Sequence, residues 1–123
     1  MVEITDDYMN ARLKLVRTYC TVFLKAGPAY QPPDIRSPEQ AKIVREHGRR
    51  NMQLNAEGKM VLVGPLGGGF PIVGLCIFSV PEPEARALME GDGAVQAGIF
   101  TYDLVTLYGF PGDGLPAQDA AGP

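Results

Sequence analysis

The sequence predicts an α+β domain built on a four-stranded antiparallel sheet. Three observations support this fold class. The predicted elements follow one another in the order β-α-β-β-α-β, and the central helix has clear signals at both ends. Apolar residues make up 46 % of the 123 residues, which is enough for one packed core. In this element order the simplest closure places both helices on one face of the sheet.

The N-terminal segment, residues 1–17, is predicted to be a helical extension. Thr5 can cap a helix over residues 5–16, and Asp6 and Asp7 suit its first turn. The first strand of the domain follows at residues 18–25, which are rich in β-branched and aromatic side chains. Gly27 and Pro28 stop this strand, and three prolines make residues 27–36 an irregular loop.

The main helix is predicted over residues 38–57. In "SPEQ", Ser37 is an N-cap, Pro38 occupies the first helical position, and Gln40 stands where a capping box places its second member. Gly58 suits a left-handed C-terminal cap. His47 lies within the apolar stripe of this helix and should face the sheet. At roughly 100° per residue, the residues within about 60° of it are Gln40, Ile43, Val44, Asn51 and Leu54.

The remaining elements complete the order. Strands are predicted at residues 60–63, 72–80 and 99–108, with a short helix at 83–90 and a capped turn at 92–98. The segment "GPLGGGFP" lacks the lysine and hydroxyl of a phosphate loop and leads into a strand, so it indicates a hairpin connection. The domain therefore spans residues 18–109, and the glycine- and proline-rich tail, residues 110–123, is predicted to be disordered.

The strand at residues 72–80 also predicts an assembly. Its apolar residues occur at both parities, so both faces of the sheet are apolar there. The helices can cover only one face, and a second copy of the same sheet would cover the other. A homodimer is expected.

Composition argues against several classes of protein. The net charge is −3 and the basic residues are mostly scattered, so no nucleic acid is expected as a partner. The apolar window from Met60 to Val80 is broken by glycines and prolines and indicates strands, not a membrane span. Residues 1–17 lack the apolar run of a secretory signal. Cys20 and Cys76 are expected to be reduced packing residues of a cytoplasmic protein, with no metal site and no cofactor.

The chain contains one histidine, His47, and histidine is the side chain suited to proton transfer near neutral pH. It is either a general base or a core residue whose ring nitrogens are satisfied by a neighbour such as Asn51, one turn along the helix. Asp92, immediately before "GAVQAG", is a good N-cap for a single helical turn. One carboxylate oxygen could cap while the other faces a histidine, so the two roles are compatible.

Two further polar residues are candidate substrate-binding groups. Asn51 shares the helix face of His47. Asp103 lies in the last strand at the same parity as Val105 and Leu107. A carboxylate among such neighbours is either a site acid or an edge-strand residue turned to water.

The segments "REHGRRNMQLNAEGKMVLVGPL" and "GLCIFSVPEPEARALMEGDGAVQAG" resemble the YciI-like (YCII-related) family. The matching positions are His47, Gly58, Gly64-Pro65, Asp92 and Ala97-Gly98, and the likeness covers about residues 18–109. It implies a ferredoxin-like fold that pairs into a dimeric α/β barrel, with His47 and Asp92 as an acid–base dyad in a cleft. Gly93 follows Asp92 where proline usually stands in the family.

Two functions remain open, beside the weaker possibility of a purely structural dimer. The first is a small cofactor-independent enzyme, a lyase or isomerase, in which His47 moves a proton and Asp92 orients it. The reaction would be an isomerisation, elimination or dehydration of a small organic molecule. The second is a small-ligand-binding or accessory domain that keeps the pocket without turnover.

Overall fold

The computed structural model describes residues 1–117. It confirms the α+β class and the predicted element order. The four strands form one antiparallel sheet in the order β2-β3-β1-β4. The elements are α1 (Asp6–Leu13), β1 (Arg17–Ala26), α2 (Pro38–Ala56), β2 (Met60–Pro65), β3 (Ile72–Phe78), α3 (Glu82–Glu90), α4 (Gly93–Gln96) and β4 (Phe100–Gly109).

One face of the sheet packs against the helices and forms the core. In the antiparallel register of β1 and β3, Val22 lies opposite Cys76 and Cys20 lies opposite Phe78. Val22 and Phe78 are fully buried. Because side chains alternate along a strand, the even-numbered residues of β1 and β3 share this face. The buried apolar residues are Val22, Leu24, Leu54, Met60, Cys76, Phe78, Ala85, Met89, Ala94, Ile99 and Phe100.

The opposite face of the sheet is not covered by these helices. It carries Phe23, Leu75 and Ile77 from the paired strands β1 and β3. Val105 lies at the parity opposite that of Phe100 on β4, and it is 48 % exposed. The structure therefore has an apolar sheet face that the helices do not cover. Such a face is the feature from which the sequence predicted a homodimer.

Helix α2 has the predicted ends, with one difference in its N-terminal cap. The Ser37 hydroxyl accepts a hydrogen bond from the Gln40 N–H, and Gly58 has the left-handed backbone, φ 79°. The Gln40 side chain does not complete a capping box. The Ser37 N–H instead donates to the side-chain oxygen of Gln31, 2.8 Å away. The capping-box prediction for Gln40 is wrong because a loop side chain takes that place.

The chain divides into two compact units. Within the described residues, the first combines Met1–Thr18 with residues 108–117, and the second is Tyr19–Leu107. In the first unit Thr5 caps α1 as predicted, but the helix ends at Leu13 and none of its residues is buried. The short C-terminal segment contributes Asp113, whose carboxylate lies 2.8 Å from the Arg12 guanidinium. Residues 118–123 of the tail predicted to be disordered lie outside the described residues.

Candidate functional site

Helix α2 and the turn before α4 bring together His47 and Asp92, which are 45 residues apart in sequence. His47 Nδ1 is hydrogen-bonded to Asp92 Oδ2. The His47 side chain is 12 % exposed and that of Asp92 is 2 % exposed. The pair that the family resemblance implies is therefore in direct contact, with its carboxylate buried behind the imidazole.

Asp92 also caps α4. Its second carboxylate oxygen, Oδ1, accepts a hydrogen bond of 2.9 Å from the Ala94 N–H. Its backbone is extended, as an N-cap requires. The two roles considered for Asp92 therefore coexist in one side chain, with one oxygen assigned to each.

Several groups act on the protonation of Asp92. Burial of the carboxylate raises its pKa, but the hydrogen bond to His47 and the charge of the imidazolium lower it. The Ala94 N–H and the charge of Arg50 lower it further, and the net result is a pKa below the ordinary 3.8. Asp92 is therefore a carboxylate at neutral pH. A carboxylate only accepts hydrogen bonds, so His47 Nδ1 carries the proton of their bond.

The other ring nitrogen of His47 faces an amide. Asn51, one helical turn along α2, places its Nδ2 at 3.2 Å from His47 Nε2. With Nδ1 protonated, Nε2 keeps its lone pair and accepts from this amide N–H. The Phe100 ring packs beside the imidazole, with 5.0 Å between ring centroids. These three neighbours fix both the tautomer and the orientation of the ring.

His47 and Asn51 line a pocket of about 450 Å³ between α2 and the sheet. This volume is within the usual range for small-molecule sites. Among residues 1–117, the polar residues at its wall are Tyr30, Arg36, His47 and Asn51, and no aspartate or glutamate lines it. The other lining residues are three glycines, apolar residues and one cysteine: Leu24, Pro33, Val44, Gly48, Met52, Val63, Gly64, Pro65, Leu66, Val73, Gly74, Leu75, Cys76, Met89 and Phe100.

The structure does not place Asp103 with these residues. Its carboxylate lies 3.0 Å from Lys25 Nζ, its side chain is 60 % exposed, and it does not line the pocket. Of the two alternatives for Asp103, the structure of the single chain shows the exposed strand residue.

Cys76 lines the pocket as a free thiol, and burial raises its pKa to about 12. A thiol with such a pKa is almost entirely protonated at neutral pH, so Cys76 is a poor nucleophile. Within residues 1–117 no cluster of histidine, cysteine, aspartate or glutamate could hold a metal ion. No helix in the same range is long and apolar enough to cross a bilayer.

Arg36 and Tyr30 belong to the pocket, although the sequence did not single them out as site residues. Both lie in the proline-rich loop that precedes α2. Arg36 immediately precedes the N-cap of the helix that carries the only histidine. This position could have marked Arg36 as a candidate site residue. No sequence signal places Tyr30 beside the histidine.

No protein-family model and no curated protein matches this sequence. Among solved structures, the crystal structure of muconolactone isomerase matches with a TM-score of 0.50 and 16 % identity, over 82 % of this chain and 99 % of that one. The crystal structure of the methylated RPA0582 protein covers 92 % of this chain and 98 % of its own, at 16 % identity and a TM-score of 0.37. The chain therefore has the α+β fold of muconolactone isomerase, and at this identity the likeness extends to the fold alone.

Proposed function

We propose that this protein is a small enzyme of the YciI-like family that transfers protons without a cofactor. His47 is its general acid and base, and Asp92 orients His47. The reaction is an isomerisation, elimination or dehydration of a small organic molecule bound in the pocket. The observation that carries this proposal is the His47–Asp92 hydrogen bond at the wall of a largely apolar pocket.

The tautomer supports this assignment of roles. Because Nδ1–H is directed to Asp92, Nε2 is the ring nitrogen with the lone pair, and it can take a proton from a substrate that displaces the Asn51 amide. The imidazolium formed in that step lies against the buried carboxylate, which stabilises its charge. Nε2 can then return the proton to a different atom of the substrate. Positioned general bases of this kind contribute about 10²- to 10⁴-fold to a rate.

The pocket wall favours such chemistry. The imidazole is only 12 % exposed and lies beside Phe100 in a wall of mostly apolar residues, where electrostatic interactions are stronger than in bulk water. The fold is compatible with an isomerisation, since the structurally similar protein is named muconolactone isomerase. Muconolactone and related unsaturated lactones are therefore suitable first test compounds.

Solvent exchange tests the proposal without a known product. The protein is incubated in D₂O with a panel of small lactones, keto acids and hydroxy acids, and proton NMR records both deuterium incorporation and product formation. We expect one compound or more to react in the presence of the wild-type protein. His47→Gln should abolish this reaction, and Asp92→Asn should slow it by about 10²- to 10⁴-fold.

Arg49→Gln is the matched control. Arg49 lies on the same helix but is 65 % exposed, pairs with Glu46 and does not line the pocket. This variant should react at the wild-type rate. If no compound reacts faster with the wild-type protein than with His47→Gln, the proposed proton transfer is wrong.

A second function, ligand binding without turnover, is favoured by one specific contact. The Asn51 amide engages Nε2, the nitrogen that would receive the substrate proton. A binding domain could keep this contact, whereas an enzyme must release it when substrate enters. Asn51→Ala separates the two functions because it frees Nε2. If the protein is an enzyme, the Asn51→Ala variant should still catalyse measurable proton exchange. Its KM should rise if the Asn51 amide also binds substrate.

We also propose that the protein is a homodimer whose subunits meet through the uncovered sheet face. Phe23, Leu75 and Ile77 lie on that face, and Val105 adds an exposed apolar side chain at its edge strand. Covering this face with a second sheet would remove the apolar surface from water.

A further inference from the structure

Arg36 is held in one orientation at the edge of the pocket. Its Nε donates a hydrogen bond of 3.0 Å to the Gln31 carbonyl oxygen. Its guanidinium carbon lies 5.5 Å from the centroid of the Tyr30 ring. Arg36 is half-buried, and it lines the pocket together with Tyr30 and His47. An arginine fixed in this way loses less conformational entropy when it binds a ligand.

The loop that carries Arg36 is itself fixed. Buried Gln40 accepts a hydrogen bond from the Gln31 N–H and donates another to the Ala29 carbonyl, at 2.8 and 2.9 Å. At Gly27 the loop touches the chain before β4 so closely that a Cβ would lie 2.3 Å from the Gly98 carbonyl oxygen. Only glycine fits this approach. The position of Arg36 is therefore set by contacts that exist without a ligand.

Arg36 has no protein anion as a partner in residues 1–117. The ion pairs in this range involve other cations: Arg12, Lys25, His47, Arg49 and Arg86. The one hydrogen bond that Arg36 makes there uses Nε, so neither terminal nitrogen, Nη1 or Nη2, is engaged. The pocket wall also has no acidic side chain. A guanidinium whose two terminal nitrogens have no partner in residues 1–117 is suited, at such a wall, to an anion from outside the protein.

We propose that Arg36 binds the carboxylate of a small organic acid whose apolar body fills the pocket beside His47. The planar pair of Nη donors matches the two oxygens of a carboxylate. Aside from His47, Arg36 is the only cationic residue that lines the pocket in residues 1–117, which favours a monocarboxylate over a phosphate dianion. The aliphatic side chains and Phe100 favour an apolar body. This inference rests on the proposed function for the role of His47, and it adds the substrate class.

Paired acids and amides test the charge that Arg36 recognises. Benzoate and phenylacetate are titrated into the protein beside benzamide and phenylacetamide, which have the same shape without the charge. Binding is followed by calorimetry and by the ring-proton signals of His47. We expect each acid to bind about tenfold more tightly than its amide, through charge-assisted hydrogen bonds.

Arg36→Gln should remove this preference while the affinity for the amides stays unchanged, which shows that the pocket is intact. Arg49→Gln should keep the preference. Equal binding of acids and amides to the wild-type protein would overturn the inference, as would no binding of either acid at millimolar concentration. A preference that survives Arg36→Gln would also overturn it.

The His47→Gln variant separates this inference from the proposed function. It should retain the preference for acids and lose all proton exchange. If the preference holds but no compound reacts with the wild-type protein, the proton-transfer proposal fails and the role of Arg36 stands. If compounds react without any preference for a carboxylate, only the role of Arg36 fails.

Discussion

Replacing Asp92 with asparagine tests the role of this residue at the level of a single proton. Asparagine keeps an oxygen that can accept the Ala94 N–H, so the cap of α4 survives. At the other position an amide NH₂ replaces Oδ2 and faces His47 Nδ1. Since that amide donates, Nδ1 must accept, and the proton of the neutral ring moves to Nε2. The nitrogen proposed to act as base then no longer has a free lone pair.

The size of the effect follows from the lost charge. In the wild-type protein the imidazolium is stabilised by a hydrogen-bonded carboxylate whose side chain is 2 % exposed. We expect Asp92→Asn to remove this charge-assisted hydrogen bond, which is worth about 1.5–3 kcal/mol, and with it the signal of the Nδ1 proton.

NMR measures both consequences. His47 is the only histidine in the chain, so its ring signals need no assignment. ¹⁵N labelling of the ring distinguishes a protonated nitrogen from one with a lone pair. We expect the proton at Nδ1 in the wild-type protein and at Nε2 in the variant. The fold of the variant should be retained because the cap of α4 remains.

Acid unfolding gives an independent check on Asp92. Its pKa is lowered in the folded protein, so the carboxylate contributes stability above its unfolded pKa of about 3.8. That contribution is lost as pH falls through the lower folded pKa. Below about pH 4 the free energy of unfolding of the wild-type protein should therefore fall as this contribution is lost. Asp92→Asn has no carboxylate at this position and should not show this part of the loss.

Asp103→Asn is the control because it removes a carboxylate that is 60 % exposed and paired with Lys25. It should leave the His47 proton at Nδ1, as in the wild-type protein. A proton that stays at Nδ1 in Asp92→Asn would contradict the proposed role of Asp92.

Three further predictions concern assembly, packing and pH. Light scattering should show a dimer at micromolar concentration, and Val105→Glu, at an exposed position, should give a folded monomer; a monomeric wild-type protein would contradict this. Phe78→Ala removes a fully buried ring, so urea unfolding should show a loss of about 3–5 kcal/mol, and a loss under 1 kcal/mol would contradict tight packing. The pKa of Cys76 is raised to about 12 from 9.0, so stability should fall between these values by up to about 1.4 kcal/mol per pH unit. Cys76→Ala should remove this part of the dependence of stability on pH. Equal dependence in the variant and the wild-type protein would show that Cys76 does not ionise on unfolding.

The sequence predicted those features that depend on neighbouring residues. The N-cap at Ser37, the glycine at position 58 and the cap at Asp92 each involve partners within a few positions, so a short segment carries the whole signal. Strand ends were less accurate. The third strand was predicted to reach Val80 but ends at Phe78, because Pro81 and the start of α3 follow directly.

Contacts between distant segments could not be predicted in the same way. Gln40 fits a capping box by its position, yet its side chain holds Ala29 and Gln31, eleven and nine residues earlier. Arg36 becomes a pocket residue only when the loop folds over the sheet. His47 and Asp92 were paired through the family resemblance, since nothing local relates two residues 45 positions apart.

Asp92 connects the fold to the site because one buried side chain fixes several polar groups of the pocket. Its two oxygens join α2, through His47, to the start of α4. The chain that follows α4 offers the Gly98 carbonyl to the Ala29 N–H, 2.9 Å away, and so anchors the loop that ends in Arg36. A buried carboxylate without partners would destabilise the fold, so this network must be complete in the native state. His47 and the loop of Arg36 are therefore held in place before any ligand arrives, as preorganised catalysis requires.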